Sequence, residues 1–504
     1  MEGLEHLMGG FAGAATVGNL SYALIGCVLG TLIGVLPGLG PAAGTAILIP
    51  ITFNLDATGA IIMLCAIYYG AMYGGTITSV LINVPGEAAS VITCIDGYQM
   101  ARQGRAGAAL AIAAVGSFIG GCAATIALAF VAIPLAKLAL GFGPAEFFAL
   151  MVLGLCLVIG LAGRNLAAAL LMTVFGLLLA MIGIDPVRGA PRFTGGIPDL
   201  FDGIGFIPVA MGLFGIAELL IAVEQHQVKA IRADLTDLWP RRDELGPCVK
   251  AIVRGTGIGF VLGMIPGVGA VIPTFMAPTF MAYVLEKRLS KHPERFGHGA
   301  IEGVASPETA NNAYANASMI PLFALGVPSS ATIAVLMGAF IINGLTPGPF
   351  LFQERPDLVW AVIASFFIGN AMLLALNLPL VGLWARLLRM PFRYLCVGVL
   401  IFCIVGSYSL KQTVFDVWVM LGFGAIGYLL RKLEFPLAPA ILAMILGPMM
   451  EKSLRTTLEI SNGSFAIFLD RPVALVLLII PAIILGVLLL RPKAFEPLRE
   501  ADTD

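Results

Sequence analysis

The sequence predicts an all-α polytopic membrane protein built from inverted-topology repeats, with two re-entrant helical hairpins and two broken transmembrane helices. Three observations carry that expectation. The 504-residue chain is 59% hydrophobic and 12% charged, with mean hydropathy +0.96, whereas soluble domains carry about 25% charged residues. A glycine-proline motif occurs twice, in corresponding surroundings. Lysine and arginine collect in short loops between apolar stretches, which marks those loops as cytoplasmic.

The apolar stretches Leu110–Val131, Phe147–Leu161, Val359–Leu376 and Val473–Leu490 are near the length that crosses a bilayer. They are continuous rather than alternating, which argues against a membrane β-barrel. The net charge of −1 makes no electrostatic case for a nucleic-acid partner. The start Met1-Glu2-Gly3-Leu4-Glu5 lacks the basic region of a cleavable signal peptide. Eight cysteines without CxxC spacing read as small buried hydrophobes. Four scattered histidines form no zinc pattern. There is no P-loop and no nucleophile–base array, so neither direct ATP use nor an enzyme is expected.

Taken in order, residues 1–18 suggest an interfacial helix. Leu20–Leu36 and Ala42–Phe53 form the arms of a first hairpin around Pro37-Gly38-Leu39-Gly40. Ile61–Ile82 is a crossing broken at Asn83-Val84-Pro85-Gly86-Glu87 and resumed by Ala88–Met100, ending inside at Arg102. Crossings at Gly107–Pro134, Ala145–Leu161, Leu166–Ile184 and Gly205–Val223 follow, with Asp185–Asp202 as an outer loop despite Arg188 and Arg192. The charged stretch 224–250 reads as a cytoplasmic linker with an amphipathic helix. Ile252–Ile265, Pro266-Gly267-Val268-Gly269 and Ala270–Leu285 form a second hairpin, based on the inside. Thr309–Leu325 then climbs to a break at Gly326-Val327-Pro328-Ser329-Ser330, and Ala331–Ile342 completes the crossing to an outer loop, Asn343–Asp357. Two full crossings in place of each hairpin remain open at this level. The resulting division is a first repeat over 1–223, a linker over 224–250, an inverted repeat over 251–450, and an outer loop, last helix and cytoplasmic tail over 451–504.

The repeat is specific. Gly26, Gly30, Gly34, Pro37, Gly38 and Gly40 fall on Gly255, Gly259, Gly263, Pro266, Gly267 and Gly269, and Val84-Pro85 falls on Val327-Pro328. The first broken crossing ends inside and the second begins there, so the halves are inverted. Inverted halves with paired helix breaks point to a secondary transporter whose site lies where the breaks meet. Half-helix N-termini suit a carboxylate, and freed carbonyls suit Na⁺. Beside the tips, the candidate residues are Thr76, Ser79, Asn83, Pro85, Gly86 and Glu87 in the first half, and Glu308, Asn311, Asn312, Asn316, Pro328, Ser329 and Ser330 in the second. Glu87 and Glu308 stand out because an intramembrane carboxylate is expensive and functional by default. Glu308 has a rival reading: Ser306-Pro307-Glu308 is also a good helix start at the inner interface. Asp96 reads as structural.

The runs Gly34–Pro41, Tyr69–Glu87 and Asp96-Gly97-Tyr98-Gln99-Met100-Ala101-Arg102-Gln103-Gly104, with Ser306-Pro307-Glu308-Thr309-Ala310-Asn311-Asn312-Ala313 and Gly326-Val327-Pro328, resemble the large membrane subunit of the tripartite tricarboxylate transporters. The resemblance implies a multi-pass subunit of the bacterial inner membrane that works with a small four-helix membrane subunit and a periplasmic solute-binding protein. It implies carboxylate substrates such as citrate, an Na⁺ or H⁺ gradient as driving force, no cofactor, and a moving transport domain carrying the breaks. A stand-alone organic-anion carrier and a channel are the alternatives.

Overall fold

A computed structural model describes residues 2–36, 39–161, 165–185, 188–224, 239–265, 277–387 and 392–490. The first half holds α1 (Glu2–Ala14), α2 (Val17–Val35), α3 (Pro41–Leu48, extended by a 3-10 turn to Thr52), α4 (Ala57–Ile82), α5 (Val91–Arg102), α6 (Ala106–Ala139), α7 (Pro144–Leu161) and α8 (Leu166–Ala180). A small antiparallel hairpin, β1 (Gly183–Ile184) with β2 (Pro191–Arg192), follows. Then come α9 (Phe206–Ala210), a π-helical stretch Met211–Ile216, and α10 (Ala217–Glu224) as one crossing. The second half holds α11 (Arg242–Gly263), α12 (Pro278–Leu289), α13 (Glu302–Ala317), α14 (Met319–Leu325), α15 (Ala331–Ile342), α16 (Leu351–Glu354), α17 (Pro356–Asn377), α18 (Val381–Leu387), α19 (Phe392–Lys411), α20 (Val414–Lys432), α21 (Ala438–Ile460), α22 (Ile467–Asp470) and α23 (Pro472–Leu490). The protein is an all-α polytopic membrane protein; among the described residues seven helices are long and apolar enough to cross a bilayer.

Local chemistry sets the element ends. The Asp56 carboxylate accepts from the Gly59 N–H at 3.1 Å and starts α4, as expected of an N-cap. Asn83, at φ 56°, stops it in the left-handed conformation. Gly326, at φ 68°, stops α14 the same way, so both broken crossings end on a residue that tolerates this geometry. The returning arm of the first hairpin is short: the eight-residue α3 with its four-residue 3-10 extension reaches about 20 Å, at about 1.5 Å per α-helical and about 2.0 Å per 3-10 residue, less than a hydrocarbon core of about 30 Å.

Several expectations shift. The N-terminal helix α1 packs along α17, with His6 stacked on Trp360 at 5.6 Å. The linker expected to reach residue 250 ends earlier, because α11 already begins at Arg242; residues 225–238 lie outside the described residues. Residues 451–460, expected in an outer loop, belong to α21, which continues to Ile460. Pro307 does not start a helix: α13 begins at Glu302 and runs through it.

Ion pairs join segments expected on the same side. Arg105 pairs with Glu244 at 2.6 Å, Arg254 with Glu286 at 2.9 Å and Lys432 with Glu224 at 2.9 Å, all between segments expected inside. Arg192 pairs with Glu451 at 2.7 Å, Arg455 with Asp185 at 2.9 Å and Arg471 with Glu146 at 3.1 Å, all between segments expected outside. Of the two basic residues in the 185–202 loop, Arg192 is thus paired with acidic neighbours.

At the centre stands α4, buried from Gly59 to Ile82. The repeated glycines are its contact surface. A Cβ on Gly26, Gly30 or Gly34 of α2 would strike the α4 backbone at Met63, Ile67 and Ala71. A Cβ on Gly255, Gly259 or Gly263 of α11 would strike α13 at Ser306, Ala310 and Tyr314. Small residues at helix spacing permit this close backbone approach within a membrane.

Candidate functional site

The two broken crossings pack antiparallel. Tyr68 of α4 faces Ser318 at 3.4 Å, and Thr76, two turns further on, donates to Glu308 Oε2 at 2.6 Å. As α4 advances, its partners recede along the second half.

Glu308 is 1% exposed and lies inside α13, so it is no interfacial helix-start residue. Its carboxylate also accepts from the Thr93 hydroxyl of α5. Its backbone carbonyl accepts from Ser117 of α6 at 3.3 Å and from Asn312 at 3.2 Å. Glu87, on the break between α4 and α5, is 7% exposed and accepts from Asn311 Nδ2 at 2.6 Å. Each intramembrane carboxylate is thus held by donors of the opposite half. Hydrogen bonds to a buried carboxylate offset part of the cost of taking it out of water.

The other expected residues divide into partners and scaffolding. Asn312 donates to Ser117 Oγ at 2.7 Å. Asn316 donates to the Asn312 carbonyl at 2.9 Å and accepts from Thr125 at 3.3 Å. Ser79 turns back to the Gly75 carbonyl at 2.9 Å. A Cβ on Gly86 would meet the Gly34 carbonyl and Gly75, so this residue lets the first break press onto its own hairpin. Its counterpart Ser329 donates to the Ser318 carbonyl at 3.3 Å, and Ser330 caps α15 by accepting from the Ile333 N–H at 3.3 Å. Pro85 and Pro328 sit in the two turns, and Asn83 ends α4. Gly40 caps α3 in open space. Pro37, Gly38, Pro266, Gly267 and Gly269 lie outside the described residues.

Three partners escaped the sequence reading: Thr93, Ser117 and Thr125. Single hydroxyls in apolar helices usually bond their own preceding turn, and nothing local marks these as reaching another helix. Asp96 does prove to be a tether. Its Oδ1 accepts from the N–H groups of Gly297, Gly299 and Ala300 at 2.9, 2.8 and 2.8 Å, and its Oδ2 from Tyr283 at 3.0 Å. That fastens α5 to the loop entering α13.

Residues 20–442 match the model of the tripartite tricarboxylate transporter TctA family. The chain belongs to that family. It is 46% identical over 479 residues, 95% of this chain and 94% of the relative, to an uncharacterized 52.8 kDa protein in the TAR-I ttuC′ 3′ region of Agrobacterium vitis. A second Agrobacterium vitis protein, in the TAR-II ttuC′ 3′ region, is 46% identical over 220 residues, 44% of this chain and 89% of that protein. No solved structure matches the chain. Membership in the TctA family places this multi-pass chain in a transport system of several subunits, and the motifs that first suggested it lie on α4, α5, α13 and the two breaks.

Proposed function

We propose that this TctA-family chain takes up carboxylates, tricarboxylates or related organic acids, across the bacterial inner membrane, driven by an Na⁺ or H⁺ gradient. In this reading a periplasmic solute-binding protein delivers the substrate and a small four-helix membrane subunit completes the carrier. The observation that carries it is the pair of intramembrane carboxylates, Glu87 and Glu308, each hydrogen-bonded from the opposite half where the broken crossings meet. A cation bound there neutralises them, and the freed backbone N–H groups at the breaks then offer an anion its donors. The hairpin tips Pro37–Gly40 and Pro266–Gly269 complete the site, with Thr76, Ser79, Asn83, Pro85, Gly86, Asn311, Asn312, Asn316, Pro328, Ser329 and Ser330 around it.

The test is uptake of a panel of labelled carboxylates by cells expressing all three subunits, with and without an ion gradient. Gradient-dependent, saturable uptake of at least one is expected, and Asn312→Ala and Pro266→Ala are expected to abolish it with membrane insertion intact. No gradient-dependent uptake across the panel overturns the function; wild-type uptake in both variants overturns the site.

A further inference from the structure

A cleft opens between α4, α6 and the α17–α18 turn, walled by Tyr73, Thr76, Ser117 and Asn377 with apolar neighbours such as Leu110 and Val381. It lies near the ends of α6 and α17 that Arg105 and Arg386 mark as cytoplasmic. Two of its polar walls are unsatisfied. Tyr73 is 3% and Asn377 6% exposed, and neither the Tyr73 hydroxyl nor Asn377 Oδ1 has a hydrogen-bond partner. The other two walls lead inward: Thr76 bonds Glu308 Oε2 at 2.6 Å, and Ser117 Oγ accepts from Asn312 at 2.7 Å.

The kind of unsatisfied atom is informative. Asn377 spends its NH₂ on the Leu373 carbonyl at 2.9 Å, and Asn312 spends its own on Ser117 Oγ and the Glu308 carbonyl. Asn370 spends its own on the Phe366 carbonyl at 2.8 Å. Each amide is thereby oriented with its oxygen free, and all three oxygens are buried without a partner. Asn370 abuts Gly121 of α6, one turn beyond Ser117. Acceptors left over in a membrane interior call for water or a cation, and the partnerless oxygens that line the cleft, Asn377 Oδ1 and the Tyr73 hydroxyl, suit a hard cation.

We infer that this cleft is the passage and waiting site through which a small monovalent cation moves between Glu308 and the cytoplasmic side, handed along by Asn377 Oδ1, the Tyr73 hydroxyl, Ser117 and Thr76. The inference rests on the ion-coupled reading above and adds its route. Neither Tyr73, Asn370 nor Asn377 belongs to the expected carboxylate site.

The experiment measures carboxylate uptake in vesicles carrying all three subunits while Na⁺ is varied at fixed pH, and then pH at fixed Na⁺. Asn377→Leu and Tyr73→Phe are expected to raise the half-saturating concentration of the coupling cation about tenfold, with half-saturating carboxylate unchanged. Asn377→Asp, which keeps an acceptor, is expected to restore the wild-type value or lower it. A shift on the Na⁺ axis identifies Na⁺, and a shift on the pH axis identifies the proton. As a readout independent of uptake, purified wild-type chain is heated in sodium or choline chloride across pH. Cation-dependent stabilisation, expected of any ligand that binds only the folded form, is expected to weaken in Asn377→Leu. Wild-type cation dependence in both substituted chains overturns the passage alone. Uptake indifferent to both cations in the wild type overturns the coupled reading and the passage with it.

Discussion

The first broken crossing presents Tyr68, Tyr69 and Tyr73 where the second, in the register set by Val84-Pro85 and Val327-Pro328, presents Asn311, Asn312 and Asn316. It presents Gly70 and Gly74 where the second has Ala313 and Ala317. The backbones follow one plan: a glycine-striped hairpin helix, a crossing stopped by a left-handed residue, a Val-Pro turn and a capped continuation. The side chains do not. In α4 the glycines let α2 approach until Gly30 and Gly34 sit against Gly70 and Gly74, and the tyrosines fill the space. In α13 alanines take the places of those glycines, and the asparagines turn polar groups into the interior. The acidic residues split likewise: Glu87 sits on the break and corresponds to Ser330, whereas Glu308 sits within the helix and corresponds to Cys65. One backbone plan thus carries an α4 that is mainly wall and an α13 that is mainly donors and acceptors.

The largest expected effect tests the wall. Gly34→Leu puts a side chain into the α4 backbone and is expected to abolish folded protein, read by size-exclusion chromatography in detergent. Gly40→Ala, facing open space, is expected to remain near wild type. If both express alike, the glycine stripe is not the contact that holds α2 on α4.

Next comes the polar half. Glu308→Ala leaves the Thr76 and Thr93 hydroxyls without their acceptor and is expected to cost about 1–3 kcal/mol in denaturant or thermal unfolding. Cys65→Ala, at the corresponding position of α4, removes only a small buried sulfur and is expected to cost about 1 kcal/mol or less. Equal losses erase the proposed asymmetry.

The helix stops come third. Gly326→Ala forces a Cβ into the left-handed region and toward the Pro347 carbonyl, 2.6 Å away; the conformational penalty alone is about 1–2 kcal/mol. Asn83→Gly removes no such constraint, and its melting temperature is expected to match wild type. The smallest effect belongs to Tyr68→Phe, which deletes the long bond to Ser318 and is expected to cost about 0.6 kcal/mol, the usual scale for interhelical hydrogen bonds in membranes.

Both breaks were legible because Pro, Gly and Asn impose backbone geometry wherever they stand: Asn83 and Gly326 stop their helices as the motif requires. The candidate carboxylates were legible because charge is rare in so apolar a chain. Their partners were not. Thr93 and Ser117 reach Glu308 and Asn312 across sequence separations of 215 and 195 residues, and a hydroxyl in a helix carries no sign of which neighbour it will meet. Glu308 itself was ambiguous, since Ser306-Pro307-Glu308 has the chemistry of a helix start. Packing of α6 decided the matter: a Cβ on Gly116 or Gly120 would meet Thr309, and this close contact encloses the middle of α13 and the carboxylate with it.

By itself the amino-acid sequence determined the membrane class, the internal repeat, the places where helices break and which residues are too polar to be filler. These follow from local rules: hydropathy, charge beside short loops, and the steric limits of glycine and proline. Tertiary structure alone decided which crossing touches which, that Glu87 and Glu308 are each satisfied from the opposite half, and that the amide oxygens of Asn312, Asn370 and Asn377 are left over. Those outcomes depend on the distances at which helices pack, and the glycines set these distances only once their partner surfaces are in place.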